Sequence, residues 1–263
     1  MPISITCKDL SPLCKDYEFV INDIDQLVDL ITRLLMGHSR HVSRVINGIA
    51  PVYPNIDQQT IQKLLYDLDL EGRESNYIVK VHGWLFQMIS WIVLAEMHQN
   101  DTGFHQHFPH PQASMHGLDG IALTMNTDQT INRIIITEDK CTDNARSTVT
   151  QQVFPEFRQI EKGEKNNAIM QHVEALINDE TVLSKIQNDI LKPEYRQYRI
   201  AITRQNIHNT DAGRKALFKD YDIIVTGTDV DRRTASTINM DNMRDWMEDL
   251  RKRVLDKLSG LII

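Results

Sequence analysis

The chain has 263 residues, of which 41% are hydrophobic and 25% charged, and a formal net charge of −7. That length can bury one large core or two small ones, the composition is that of a soluble globular protein, and the net charge does not announce a nucleic-acid binder. Three cysteines, Cys7, Cys14 and Cys141, form no CxxC spacing, which argues against a disulfide framework or a Cys-rich zinc site and fits a reducing cytoplasm.

Residues 1–22 mix apolar and polar positions and are compatible with a strand or two. The opening Met1-Pro2-Ile3-Ser4-Ile5 lacks the layout of a signal peptide, so a cytoplasmic location is expected. Asn22 or Asp23 can cap a helix over Ile24–Met36, with Ile24, Leu27, Ile31, Leu34 and Leu35 on one face and Gly37 as its stop. Residues 47–56 are expected to be loop, and Asp57 opens a second helix with Ile61, Leu64, Leu65 and Leu68 on its apolar side. These helices carry no visible chemistry and suit a packing or partner-facing role over residues 1–74. The stretch 75–99 is apolar around most of a helix, the pattern of a central buried helix. Lys80, His82, Gln87 and Glu96 interrupt it, so it reads as core rather than as a membrane span.

Residues 100–114 are expected to be an ordered loop, with His105, His107 and His110 inside it, His98 before and His116 after. These histidines are a candidate zinc set, although their spacing matches neither HExxH nor a finger. His116 stands out because it precedes Gly117-Leu118-Asp119-Gly120. Two β-branched apolar runs follow, 121–125 and 131–137, joined by the polar turn 126–130, and together they read as a β-hairpin. Asp119 opens the first strand, and Glu138-Asp139-Lys140 ends the second. In an antiparallel hairpin those ends are neighbours. Period-two alternation points Glu138 and Lys140 one way and Asp139 the other. Two carboxylates and an ammonium on one rim can hold a divalent metal and activate water. Placed at strand ends, they are expected to contribute little packing.

Beyond Lys140, Asp143 or Asn144 can cap a helix through Phe157 that carries Gln151 and Gln152. Helices are expected over 164–176, 181–191 and 211–219, and strands over 199–203 and 221–226, the latter ended by Gly227. An amphipathic helix closes the chain over 239–258. Residues 190–263 carry 14 Lys+Arg against 11 Asp+Glu, a balance of +3, while the remainder, 15 against 25, balances at −10. The basic third can meet phosphates, and the acidic part suits a basic partner.

The order helix, strand with Asp119, strand with Glu138-x-Lys140, helix, strand, helix resembles the PD-(D/E)xK nuclease superfamily over roughly residues 75–226. Over the whole chain, Gly117-Leu118-Asp119-Gly120 and the run Ile134-Ile135-Ile136-Thr137-Glu138-Asp139-Lys140-Cys141 are similar to the HamA family, the nuclease subunits of Hachiman anti-phage systems. The resemblance implies a restriction-endonuclease-like α/β core over 75–263, a central mixed sheet flanked by helices, with an N-terminal helical extension over 1–74. It implies Mg²⁺, with Mn²⁺ as a substitute, held by the Asp119 and Glu138 side chains and the Asp139 backbone carbonyl. Lys140 would orient or deprotonate the attacking water and offset charge on the scissile phosphate of DNA. It also implies a helicase partner, HamB, that restrains the nuclease. Two positions depart from the superfamily pattern: Leu118 stands where proline precedes the first aspartate, and Pro155 and Glu156 occupy the place of a tyrosine in the glutamine–tyrosine helix motif. The rival reading is a non-catalytic interaction subunit of a helicase complex in which the hairpin charges are only structural.

Overall fold

The computed structural model describes residues 2–50, 52, 54–113, 115 and 117–262. In chain order the elements are β1 (Ile3–Asp9), β2 (Lys15–Ile21), α1 (Ile24–Leu35), α2 (Ser39–Ile46), α3 (Gln58–Leu68), α4 (Tyr77–Met97), β3 (Phe104–Gln106), β4 (Gly120–Met125) and β5 (Ile131–Lys140). Then come α5 (Ala145–Thr148), a π turn (Val149–Val153), α6 (Phe154–Glu161), α7 (Asn166–Leu176), α8 (Glu180–Ile186), β6 (Arg196–Arg204), α9 (Asp211–Leu217), α10 (Tyr221–Ile224), β7 (Arg233–Asn239) and α11 (Met243–Ser259).

One mixed sheet of seven strands, in the order β1-β2-β7-β6-β5-β4-β3, is flanked by helices. Strands β2, β7, β6 and β5 run parallel, and antiparallel pairs close both edges. A core of α1, α3, α4 and α11 lies against one face, and a second core contributed by α5 to α10 lies against the other. Parallel strands covered on both faces need apolar side chains in consecutive positions, and Ile134, Ile135 and Ile136 supply them: the outer two belong to the second core, and Ile135 meets Leu94 of α4. The first 74 residues are woven into this body. β2 pairs with β7, and Leu27, Ile31, Leu64 and Leu68 share the core of α4 and α11.

Helix starts follow their capping residues. The Asp23 carboxylate accepts from the Gln26 N–H at 2.9 Å and that of Asp57 from the Thr60 N–H at 2.9 Å, each worth about 1 kcal/mol. Gly37, at φ +79°, ends α1 in the left-handed region that favours glycine. By length and composition α4 could cross a membrane, yet 78% of its most apolar window is buried in this protein.

The C-terminal half differs from the sequence expectation at three places. The apolar run 221–226 is not a strand: α10 begins after Asp220 at φ 74°, and Tyr221, fully buried, donates from its hydroxyl to the Tyr198 carbonyl at 2.9 Å. The strand is Arg233–Asn239, whose polar sequence hides its central place between β2 and β6. Its polar side chains are satisfied internally: Ser236 accepts from Arg199 at 2.9 Å, Thr237 donates to Asp16 at 2.9 Å, and Arg233 donates to the carbonyls of Pro12, Leu13, Val225 and Gly227. The helix expected to stop at Phe157 continues to Glu161, widened by the π turn at Val149–Val153. Pro155 has no N–H to donate to the Gln151 carbonyl, and a wider turn accommodates the missing bond.

Candidate active site

Hairpin register builds the site. Gly120 pairs with Thr137, so Asp119, one residue earlier, lies beside Glu138. The Asp119 Oδ2 accepts from the Asp139 backbone N–H at 2.9 Å and from Lys140 Nζ at 3.0 Å. Lys140 Nζ also lies 2.8 Å from Glu138 Oε2. One ammonium therefore bridges two carboxylates from neighbouring strands. Asp139 points to the opposite face, where Ser90 of α4 donates to its carboxylate at 2.5 Å. Gly117 enters the hairpin at φ +143°, a conformation open to glycine.

Helix α4 supplies groups that the sequence did not advertise. Gln87 donates to the Asp119 backbone carbonyl at 2.6 Å. Ser90 accepts from Arg199 at 2.8 Å while it holds Asp139. Arg199 is fully buried under the hairpin and donates to Ser236 as well. No spacing links residues 87, 90 and 199, so packing is what brings them together. The only signal was polarity: Gln87 and Ser90 are hydrophilic positions in an otherwise apolar helix.

Burial sets the electrostatics. Only 5% of Glu138 is exposed, contrary to the expectation of a group with little packing. Burial, reinforced by repulsion from Asp119, pushes the Glu138 carboxyl up to about 7 against the pull of Lys140. Burial and Asp119 likewise push Asp139 up to about 7. Burial lowers Lys140, but Glu138 and Asp119 outweigh it and hold the ammonium above its ordinary value. The buried Arg199 guanidinium is lowered to about 10 by desolvation, with Asp139 opposing the shift. Asp119, Asp139 and Lys140 open onto a cavity of about 200 Å³ whose other walls include Lys80, Trp84, Gln87 and His110.

Of the other groups the sequence offers, His110 lines the cavity at Lys140, and Glu96, Gln151 and Gln152 lie elsewhere. Glu96 is nine residues past Gln87, roughly 13 Å along the helix; it lines a separate cavity with Lys15, Tyr17 and Arg133, and burial lifts it to about 7. Gln151 and Gln152 are exposed on the π turn and do not line the cavity at Lys140. Among the described residues, no group of three or more His, Cys, Asp or Glu side chains is placed to hold a metal. The loop histidines have other contacts: His98 stacks on Phe104 at 4.4 Å and lies 3.5 Å from Asp101, and His107 meets His172 edge-on at 4.7 Å. His116 lies outside the described residues.

Fold and site together define a mixed α/β protein with an acid–acid–lysine cluster at the end of a sheet hairpin. No protein-family model, curated protein or solved structure matches this chain.

Proposed function

We propose that this chain is a metal-dependent DNA nuclease of the PD-(D/E)xK type, acting without sequence readout as the effector of an anti-phage complex of the Hachiman kind. The observation that carries the reading is the convergence of Asp119 and Glu138 on Lys140 Nζ, at 3.0 and 2.8 Å, beside an open cavity. The element order supports it: α4, the antiparallel strands β3, β4 and β5, the helices α5 to α8, then β6 parallel to β5.

The donor set fits Mg²⁺, with Mn²⁺ as a substitute. The two carboxylates already converge on one cation, the Lys140 ammonium. Mg²⁺ takes hard oxygen donors, needs only one or two carboxylates and keeps several waters. Asp119, Glu138 and the Asp139 carbonyl would hold it. When bound, it acidifies water and neutralises charge on the phosphate. The protein's own groups divide the rest. Lys140, held protonated by its two neighbours, is an electrostatic partner for the phosphate rather than a base at neutral pH. Glu138, whose carboxyl burial raises in the metal-free protein, would be ionised by the bound ion and serve as its ligand. Gln87 and Ser90 keep Asp119 and Asp139 in place from behind.

Control would come from a HamB-type helicase. The sequence has no Gly-x-x-x-x-Gly-Lys-Ser/Thr loop of its own. Ile49, Val52, Ile56, Tyr66 and Val79 are large apolar residues that lie exposed, available to a protein partner. They suit the partner-facing role of the N-terminal region. The rival reading draws on the same ion cluster: Lys140 neutralises its carboxylates without any metal, as a purely structural cluster would. The test is purified protein, with and without its helicase partner, on DNA with Mg²⁺ or EDTA. Cleavage that needs Mg²⁺ and is lost in a Glu138/Lys140 double variant supports the nuclease. Undiminished cleavage by that variant, or none by the wild-type pair, refutes it.

A further inference from the structure

A second cavity, of about 440 Å³, shares three walls with the smaller one: Asp119, His110 and Met115. Its size is within the range of sites for small organic ligands, about 300–1,000 Å³. It lies between the start of α2, the loop before β4, and α7. Most of its lining is apolar, with Leu34, Leu35 and Leu118 at its walls. Four flat rings line it: His107 and His172 meet edge-on at 4.7 Å, Phe108, whose ring centre is 6.1 Å from that of His107, is 56% exposed, and His110 is the fourth.

One polar group in this lining is unspent. Ser39 is 97% buried, and its hydroxyl has no hydrogen-bond partner among the described residues. A buried hydroxyl without a partner costs free energy, and Ser39 is one of the residues that line a cavity large enough to hold a partner. The occupant that these features describe is a flat, mostly apolar ring with a hydrogen-bonding edge. It must also reach the wall that holds Asp119.

We propose that this groove seats one unstacked nucleobase of a single DNA strand, adjacent to the phosphate that pairs with Lys140 in the smaller cavity. The inference rests on the nuclease reading and names its substrate: a strand end or single-stranded segment, since a base inside a duplex cannot leave its stack without cost. The phosphate lies in the 200 Å³ cavity, and the neighbouring base turns past Asp119 onto Phe108, His107 and His172. Ser39 contacts the edge of the base. Stacking on flat side chains tolerates any base, which agrees with cleavage that reads no sequence.

The experiment uses the full chain carrying Glu138→Gln, so that DNA is bound but not cut. Its affinity is measured by fluorescence anisotropy for a short single strand, for the matching duplex, and for a set of strands each lacking one base at a different position. Single strand should bind more tightly than duplex, and one abasic position should weaken binding about tenfold, the loss expected for one stacked base. Phe108→Ala and Ser39→Ala, added separately, should shrink that abasic penalty without changing affinity for the abasic strand. Neither side chain supports a bond in the fold, and circular dichroism verifies that both variants are folded. Equal affinity for intact and abasic strands at every position overturns the proposal, as does a penalty that both variants leave intact. Mg²⁺-dependent cleavage by the wild-type chain, tested in parallel, separates the two readings. Cleavage without base-dependent binding removes the groove and keeps the nuclease. Base-dependent binding without cleavage keeps the groove and removes the nuclease.

Discussion

Replacing Glu138 by glutamine should make the metal-free protein more stable at alkaline pH while abolishing cleavage. Glu138 is 5% exposed, and its carboxyl is raised from 4.5 to about 7, burial being the main cause. A carboxyl whose folded pKa lies above its unfolded value binds its proton more tightly when folded. Its contribution is therefore most favourable below pH 4.5, declines between 4.5 and about 7, and stays at the lower level above that. At about 1.4 kcal/mol per unit, the full decline is about 3 kcal/mol. Glutamine keeps the shape and an oxygen that can accept from Lys140, but it does not titrate. The stability difference between variant and wild type should thus widen by about 2 kcal/mol from about pH 5.5 to about pH 8.5. Asp139 is one of the charges that raise Glu138, so the difference reads Glu138 together with its effect on Asp139. Urea unfolding in EDTA at the two pH values measures it. A gap that does not widen, or a variant less stable than wild type at the higher pH, would show that the ionised Glu138 is well accommodated and refute the burial argument.

Mg²⁺ added at about pH 8.5 should raise the melting temperature of the wild type and raise that of Glu138→Gln less, because the variant loses one of the two carboxylates that would hold the ion; scanning calorimetry with and without metal reads this. Lys140→Ala should lower cleavage at least ~100-fold and destabilise the metal-free protein by about 2 kcal/mol, since Asp119 and Glu138 then face each other unpaired; plasmid cleavage and urea titration are the assays, and a variant as stable as wild type would contradict the paired geometry. Arg199→Leu should destabilise by about 3 kcal/mol, leaving Ser90, Ser236 and Asp139 without their buried donor or countercharge, whereas Ser90→Ala should preserve stability better and mainly weaken Mg²⁺ binding, measured by calorimetric titration. Cleavage should proceed with Mg²⁺ or Mn²⁺ and fail with Ca²⁺, which tolerates looser geometry; stoichiometric zinc in protein purified without added metal would point to the histidines instead.

The sequence by itself determined the hairpin and the meeting of its charges. A strand has a fixed period of two, and an antiparallel turn brings the start of one strand to the end of the next, so Asp119, Glu138 and Lys140 could be placed from spacing alone. It also determined α4, because an apolar surface nearly all round leaves a helix only the interior, and the starts of α1 and α3, because Asp23 and Asp57 act on N–H groups three residues away. The tertiary structure decided what depends on long-range partners. Arg233–Asn239 is a central strand although its residues look like those of an exposed one, because Arg199, Asp16 and distant carbonyls satisfy them. Residues 221–226 look like a strand and are not, because burying Tyr221 against Tyr198 outweighs the preference of a few β-branched side chains. The same holds at the site. Local periodicity aims the charged side chains, but the burial that lifts Glu138, and the support from Gln87, Ser90 and Arg199, come from a helix and a strand far away in sequence, whose contacts exist only once the sheet and α4 have packed together.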